Sequence, residues 1–309
     1  MNSFALWFSS DSSASENFIA DVHFNLWNMH YYKAMPPSLD IGIKIENASE
    51  CNAINLFVPF KIDINKICDL GKSLKSSEIL CNVFNEDYIT SHQGGEKILK
   101  VNDSNSKPIM NIYCLDVQND IKIEEKYDGT LLIINFPKTL RYIGLPSYFR
   151  FRIQSKCFNQ IIKSYKPKNI FLQSAISAIE AIDFRFNDYR SLNPSLLEQM
   201  REGISYSIGK VHFLLLTEAD VELQYSSMPS TARELEIKIW NGYFEDLCGK
   251  NIVAYHWKFK KEYDNKLIEN CIMFVKTKVY KCNWLTIMMY IVSLGIFTIF
   301  FNYLSNLLF

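Results

Sequence analysis

Between Asn283 and Phe309 the sequence, NWLTIMMYIVSLGIFTIFFNYLSNLLF, carries no charged side chain. A helix from Trp284 onward would extend about 39 Å at ~1.5 Å per residue, more than the roughly 30 Å hydrocarbon core of a bilayer. As a soluble core helix it would have to be covered on every side, because Thr286, Ser293, Thr298, Asn302, Ser305 and Asn306 form no broad solvent face. The stretch therefore predicts a single C-terminal transmembrane helix. Tyr280 and Trp284 stand where amphipathic rings prefer the interface, and Lys276, Lys278 and Lys281 precede the span. Those flanks predict a cytoplasmic position for the rest of the chain. Met1 to Asp11 has neither a basic residue nor a long apolar run, so a cleaved leader is not expected there.

The chain before this tail is long enough for one large or two medium domains, and its periodicity is mostly that of strands. FIADVHFNL places Phe18, Ala20, Val22, Phe24 and Leu26 opposite Ile19, Asp21, His23 and Asn25, and IGIKI puts Ile41, Ile43 and Ile45 on one side. AINLFVPFKI, ILCNVF and IMNIYCLDV continue the series, and IKIEEKYDGTLLIINF predicts a hairpin turning at Asp128-Gly129. Short strands at this spacing predict a sandwich or open barrel from about residue 15 to 155. SYKPKNIF then reads as a connection, with Pro167 interrupting any strand. In NPSLLEQMREG, Asn193 is placed as an N-cap, Pro194 at the first helical position and Gly203 past the end. A second helix is expected from Thr231 to about Cys248, and IVAYHWKFKK and CIMFVKTKVY return to strand alternation. The expected class is α+β and β-dominated: an antiparallel β-sandwich or open barrel, a mixed α/β region, and one transmembrane helix. The domains are drawn at 1–160, 161–282 and 283–309. The short interval between Tyr280 and Trp284 predicts that movement of the last strand would reach the helix rather than be absorbed by a linker.

Chemistry is harder to locate. The 33 basic and 33 acidic residues cancel, so any anion site must be a local patch. Eight cysteines without a C-x-x-C pair read as free, mostly buried thiols, and the five histidines lack H-E-x-x-H spacing, so neither a metal nor a cofactor is expected. DLGKS resembles the end of a phosphate loop, but Lys66 stands where its first glycine is required. His23 and His30 read as satisfied or exposed histidines rather than a dyad. Asp220 or Glu222 with Glu236-x-Lys238 resembles a metal-dependent nuclease arrangement, and equally the solvent side of an amphipathic segment.

The most informative soluble stretch is RYIGLPSYFRFRIQSKCFNQIIKSYKPK, residues 141–168, which contains basic and aromatic residues and no acid. As a strand, SYFRFRIQ presents Tyr148, Arg150 and Arg152 on one face and Phe149, Phe151 and Ile153 on the other. Guanidinium groups suit phosphates and rings stack on bases, so Arg141, Tyr148, Arg150, Arg152, Lys156 and Lys163 are the candidate ligand-binding residues for a nucleotide or single-stranded oligonucleotide. A solvated basic face, or an anionic lipid surface as partner, are the competing readings. Within the tail, Gly295, Thr298, Asn302 and Ser305 recur at helix-packing intervals, which predicts a homo-oligomer formed through the membrane helices.

This plan, a cytoplasmic domain joined by a short junction to membrane helices, resembles the nucleotide-controlled transmembrane effectors of bacterial antiphage defence, with the Hailong membrane effectors as the nearest architectural parallel. The resemblance lies in architecture and transfers no site residue. It implies a ligand made by a partner nucleotidyltransferase and an oligomeric pore that disrupts the cell inner membrane. A tail-anchored binding or scaffold protein and a membrane-tethered nuclease are the alternatives.

Overall fold

The structure of the chain, a computed structural model, describes residues 3–10, 18–30, 36–46, 51–91, 97–138, 144–155, 158–165, 177–244, 251–260, 268–280 and 284–308. The described residues are β-dominated and form three sheets. The first joins β1 (Ala5–Ser9), β4 (Ala53–Val58), β10 (Gly129–Asn135) and β9 (Ile121–Lys126), all antiparallel. The second has ten strands. Its path runs β16 (Thr231–Glu234), β17 (Ile252–Lys260), β14 (Tyr206–Glu218), β2 (Phe18–Trp27), β3 (Ser38–Glu46), β11 (Ser147–Gln154), β8 (Pro108–Tyr113), β7 (Ile98–Asp103) and β6 (Tyr88–Ser91), and β5 (Ile67–Asp69) also pairs with β11. Pairings β14–β2 and β11–β8 are parallel. The third joins β12 (Ile162–Tyr165), β13 (Ser177–Phe186), β18 (Cys271–Tyr280) and β15 (Glu222–Ser226). The large sheet draws strands from both sides of residue 160.

Alternation explains how these sheets stack. One face of the large sheet supplies Val22, Phe24, Ile41, Ile43, Phe149, Phe151, Val211, Phe213 and Trp257 to a core shared with Leu6, Leu56 and Leu132 of the first sheet and Ile182, Phe184 and Met273 of the third. Both small sheets thus cover the same side of the large one, as in a sandwich. A second core lies on the opposite face, where Tyr148, Leu99 and Ile112 meet Leu80 of helix Ser77–Phe84 and Trp240 of helix Ile237–Trp240.

Helix Pro194–Glu202 forms as expected: the Asn193 side chain accepts from the Ser195 amide and Pro194 opens the first turn. Three expectations change. ILCNVF belongs to a helix, because Ser76 caps it through the Ile79 amide and Ile79, Leu80, Val83 and Phe84 fall on one helical face. Thr231 begins a strand, and helix is confined to Ile237–Trp240; residues 245–250 lie outside those described. The hairpin turns one residue early, with Tyr127 and Asp128 at φ 52° and 63°. Gly129 is needed for space instead: a Cβ there would overlap the Phe57 ring and the Val58 carbonyl. The Pro167 connection and the Tyr280–Trp284 junction fall outside the described residues.

Of the described cysteines, Cys51, Cys114 and Cys271 are buried, Cys81 is partly buried and Cys68 is exposed. Helix Trp284–Leu308 is the one helix among the described residues long and apolar enough to cross a membrane, over Ile287–Leu307, and none of that span is buried. It contributes nothing to either core.

His30 sits where the sandwich meets the end of β14. Its Nε2 is 2.7 Å from Glu180 and its Nδ1 is 3.2 Å from Glu218, while its backbone amide donates to Glu218 at 2.7 Å. Burial works against the imidazolium, but the hydrogen bonds and charges of the two carboxylates outweigh it and raise the pKa to about 9. The reading of His30 as a satisfied histidine is met by this arrangement.

Candidate functional site

A cleft of about 540 Å³ opens on the polar face of the large sheet, beneath helix Ser77–Phe84, β16 and Trp240. The strand register arranges its floor in rows. Lys210, Asp21 and Lys44 lie side by side on β14, β2 and β3; the next row holds Lys258, His212, His23, Gly42 and Arg150 across β17, β14, β2, β3 and β11. Then come His256, Leu214 and Asn25, and beyond them Ala254, Leu216 and Trp27.

Two glycines make this floor. In β14 both Ile208 and Val211 face the core, three residues apart, because an irregularity between Ile208 and Lys210 inserts Gly209 out of phase. Without that insertion Lys210 and His212 would point into the core. A side chain on Gly209 would also meet Asp21 Oδ1 at 2.6 Å. Gly42 supplies the other gap. The Tyr148 ring crosses above it, so that the Tyr148 hydroxyl comes within 3.4 Å of His23 Nδ1 and accepts from Arg150 Nη1 at 2.8 Å. Gly42→Ala would place its Cβ against that hydroxyl, with Tyr148 Cζ at 2.9 Å. It should cost about 1–3 kcal/mol in urea unfolding, the usual range for overpacking a tight site.

Three histidines form a connected group. His212 Nδ1 and His256 Nε2 are 2.9 Å apart, so one imidazole donates and the other accepts, and the His23 ring packs edge-on to His212 at 4.8 Å. Burial, then the neighbouring imidazole and Lys258 and Lys210, lower the His212 pKa to about 4. His23 and His256 are also pushed down, in each case mainly by burial. All three are therefore neutral at pH 7, in a cleft whose charged residues are Lys44, Arg150, Lys210, Arg233 and Lys258 against Asp21 and Glu86. Lys44 is paired with Glu46 at 2.8 Å and Arg150 lies 4.0 Å from Asp40, so Lys210, Arg233 and Lys258 are the cations left to favour an anionic occupant.

Opposed histidine shifts set the pH dependence of stability. His30 gains a proton on folding, so its contribution is complete below pH 6.5 and is lost as pH rises through about 9. It is worth on the order of 3 kcal/mol at 1.36 kcal/mol per pH unit. For His212 the folded pKa is depressed, so stability declines as pH falls from 6.5 through about 4. Thermal unfolding should show a maximum near pH 6.5, and His30→Gln, which leaves Glu180 and Glu218 without their buried cation, should be less stable than the unaltered chain below pH 6.5, the difference narrowing as pH rises through about 9.

The basic aromatic strand is placed differently from a surface patch. Tyr148, Arg150 and Arg152 do share a face, yet all three are buried. Arg152 donates to both oxygens of Asp40, at 2.6 and 3.0 Å, and stacks 4.0 Å from the Phe244 ring centre. Arg150 lines the cleft and donates to the hydroxyls of Tyr243 and Tyr148; the Asn25 amide, with its oxygen turned toward it, accepts from Nη2 at 2.7 Å. Lys163 is exposed on β12 in the third sheet, and Arg141 and Lys156 lie outside the described residues. Of the six residues proposed from sequence, the structure brings Arg150 to the cleft.

The other lining residues had a signal that passed unused. β2 carries Val22-His23-Phe24 and β14 carries Val211-His212-Phe213, while β17 carries Tyr255-His256-Trp257. Each histidine stands in the polar phase between core residues. Glu222 and Glu236 are not brought together: Glu222 accepts from Tyr280 in the third sheet, and Glu236 precedes helix Ile237–Trp240. Among the described residues no group of three or more His, Cys, Asp or Glu could hold a metal ion. In the tail helix the Thr298 hydroxyl donates to the Leu294 carbonyl, Asn302 and Ser305 are exposed, and a Cβ on Gly295 would meet nothing within 4 Å.

No protein-family profile matches this sequence, and no curated protein does. Among solved structures it is similar to a candidate protease from Parabacteroides distasonis, with 9% identity over 85% of this chain and 41% of that one and a TM-score of 0.27. It is also similar to the yeast delta-COP-I mu-homology domain complexed with a Dsl1 WxWxV peptide, with 9% identity over 89% of this chain and 79% of that one and a TM-score of 0.21. The chain thus spans less than half the length of the first of these, and at such TM-scores neither carries an argument about fold or function.

Proposed function

We propose that this protein is a membrane-attached effector of antiphage defence whose β-rich part binds a phosphorylated ligand, a nucleotide or oligonucleotide, in the histidine-lined cleft. In this reading the β-rich part faces the cytoplasm and the C-terminal helices associate in the inner membrane to form a pore. The observation that carries it is the cleft itself. Lys210, Arg233 and Lys258, with Lys44 and Arg150 held beside carboxylates of their own, line a space of about 540 Å³, within the 300–1,000 Å³ typical of small-molecule sites. Neutral imidazoles between the cations can donate or accept without adding charge. The apolar helix and its Gly295, Thr298, Asn302 and Ser305 seam support the output half, since one helix encloses no water path and several must assemble.

The test is dye efflux from liposomes holding the full-length protein, with nucleotides and short oligonucleotides added, alongside its mass in detergent. A ligand-dependent change in efflux from an oligomer is expected. A monomer in sealed liposomes under every condition would contradict the pore. If an unrelated apolar helix replaces the tail without loss of function, the helix is a plain anchor.

A further inference from the structure

We propose that the outer face of the third sheet is a second membrane contact, which lays Lys163, Lys276 and the rings of Tyr165 and Tyr225 against anionic phospholipid headgroups of the bilayer that the C-terminal helix enters. The contact rests on the reading of that helix as a membrane span and is independent of what occupies the cleft.

The register of the sheet builds this face. In β13 and β18 the alternation turns Ile182, Phe184, Met273 and Val275 to the core, which leaves the residues between them on the outside. Lys163, Ala181, Lys276 and Tyr225 lie side by side on β12, β13, β18 and β15, and Tyr165, Ile179, Lys278 and Glu222 form the next row. Tyr165 and Tyr225, each 52% exposed, are the most exposed large apolar side chains among the described residues outside the tail helix. Rings with a polar tip, interleaved with lysines, suit the boundary between headgroups and water.

Charge and position select the lipid. Arg185 donates to both oxygens of Asp183, at 3.0 and 2.8 Å, and the Lys278 ammonium lies 3.8 Å from Glu222, so those four side chains cancel. Asp220, two residues before Glu222, and Lys281, one after Tyr280, offset each other in formal charge. Lys163 and Lys276 remain, with no carboxylate partner among the described residues and about 10 Å apart across Ala181 at ~4.8 Å per strand. A two-fold contact with a second copy would set this positive face against itself. Two lysines favour an anionic leaflet by only about 25-fold, at about fivefold each, which is too little to hold the chain at a membrane alone. The helix supplies the rest. β18 ends at Tyr280, four residues before Trp284, a reach of at most about 14 Å at ~3.6 Å per residue, so the tethered face meets headgroups at high effective concentration.

The test reconstitutes the full-length protein in nanodiscs of phosphatidylcholine alone and of phosphatidylcholine with about one third phosphatidylglycerol. Each sample is acetylated with a neutral N-hydroxysuccinimide ester, and the lysines are followed individually by peptide mass spectrometry. Lys163 and Lys276 should react about threefold or more slowly in the anionic discs, and the difference should vanish in about 0.5 M salt. Lys122 is the control, because it lies on β9 of the first sheet, which meets the third at Phe186, the end of β13 away from Tyr280. Its rate should be the same in both discs. Lys163→Glu, on an exposed edge strand, removes the positive excess and should release Lys276 from protection. Equal rates for Lys163 and Lys276 in the two discs would overturn the headgroup contact, whether both are fast, leaving the face bare, or both slow, placing another copy of the chain over it. Unchanged protection of Lys276 in Lys163→Glu would overturn it too. A chain that enters neither disc would overturn the membrane span itself.

Discussion

Replacing Asp40 with alanine should lower the unfolding free energy by about 3–5 kcal/mol, the range for breaking a buried ion pair from one side. Asp40 is fully buried and accepts from four groups besides its charge interaction with Arg150: Arg152 Nε at 2.6 Å and Nη2 at 3.0 Å, Trp27 Nε1 at 2.9 Å and the Tyr243 hydroxyl at 2.9 Å. Removing the carboxylate leaves two buried guanidinium groups side by side on one face of β11 without a counter-charge, since Arg150 Nη2 is only 4.0 Å from the same oxygen. The effect should therefore exceed that of any surface ion pair in the chain, where about 0–1 kcal/mol is usual. Asp40→Asn keeps an acceptor but not the charge and should fall between. Urea unfolding of the three proteins gives the order directly. A loss below 1 kcal/mol for Asp40→Ala would show that the arginines find other partners.

Deleting residues 284–308 should move the protein from the membrane pellet to the soluble fraction and leave the unfolding midpoint of the remainder unchanged. Both halves follow from one observation: the span is apolar, with mean hydropathy 1.9, and 0% of it is buried. Nothing in either hydrophobic core is lost with it, so no transfer free energy at ~25 cal/mol per Å² is forfeited. Centrifugal fractionation of cells expressing both forms, followed by thermal unfolding, checks the pair of outcomes. A truncated chain that still sediments with membranes would mean that another surface attaches it.

The strands were readable because period two survives wherever one face is buried. Val22, Phe24 and Leu26 mark β2 without help from any distant residue, and the Asn193-Pro194 start marks its helix by local capping alone. ILCNVF misled because four apolar residues in six suit either period, and Ser76 decided between them. The cleft was hidden for a different reason. Polar-phase residues of a strand look alike whether they meet solvent or another layer. What converts His23, His212 and His256 into one group is the parallel pairing of β14 with β2, nearly 190 residues apart in sequence, together with the antiparallel pairing of β14 with β17. The insertion of Gly209 further shifts the phase of β14, so the alternation before it predicts the wrong face for Lys210. Likewise, Arg150 and Arg152 share a face as the pattern requires, but the Asp40, Tyr243 and Phe244 that cover them come from elsewhere in the chain.

That a phosphorylated ligand occupies the cleft is tested most directly by native mass spectrometry of the full-length protein in detergent. The unaltered chain and Lys210→Glu/Lys258→Glu are each incubated with excess nucleoside 5′-monophosphates. Both lysines are exposed, so the double substitution reverses the charge of the cleft without touching either core. The account predicts a ligand-bearing mass on the unaltered chain and only bare protein for the double variant. Equal occupancy of the two proteins, or none on the unaltered chain at saturating nucleotide, would contradict it.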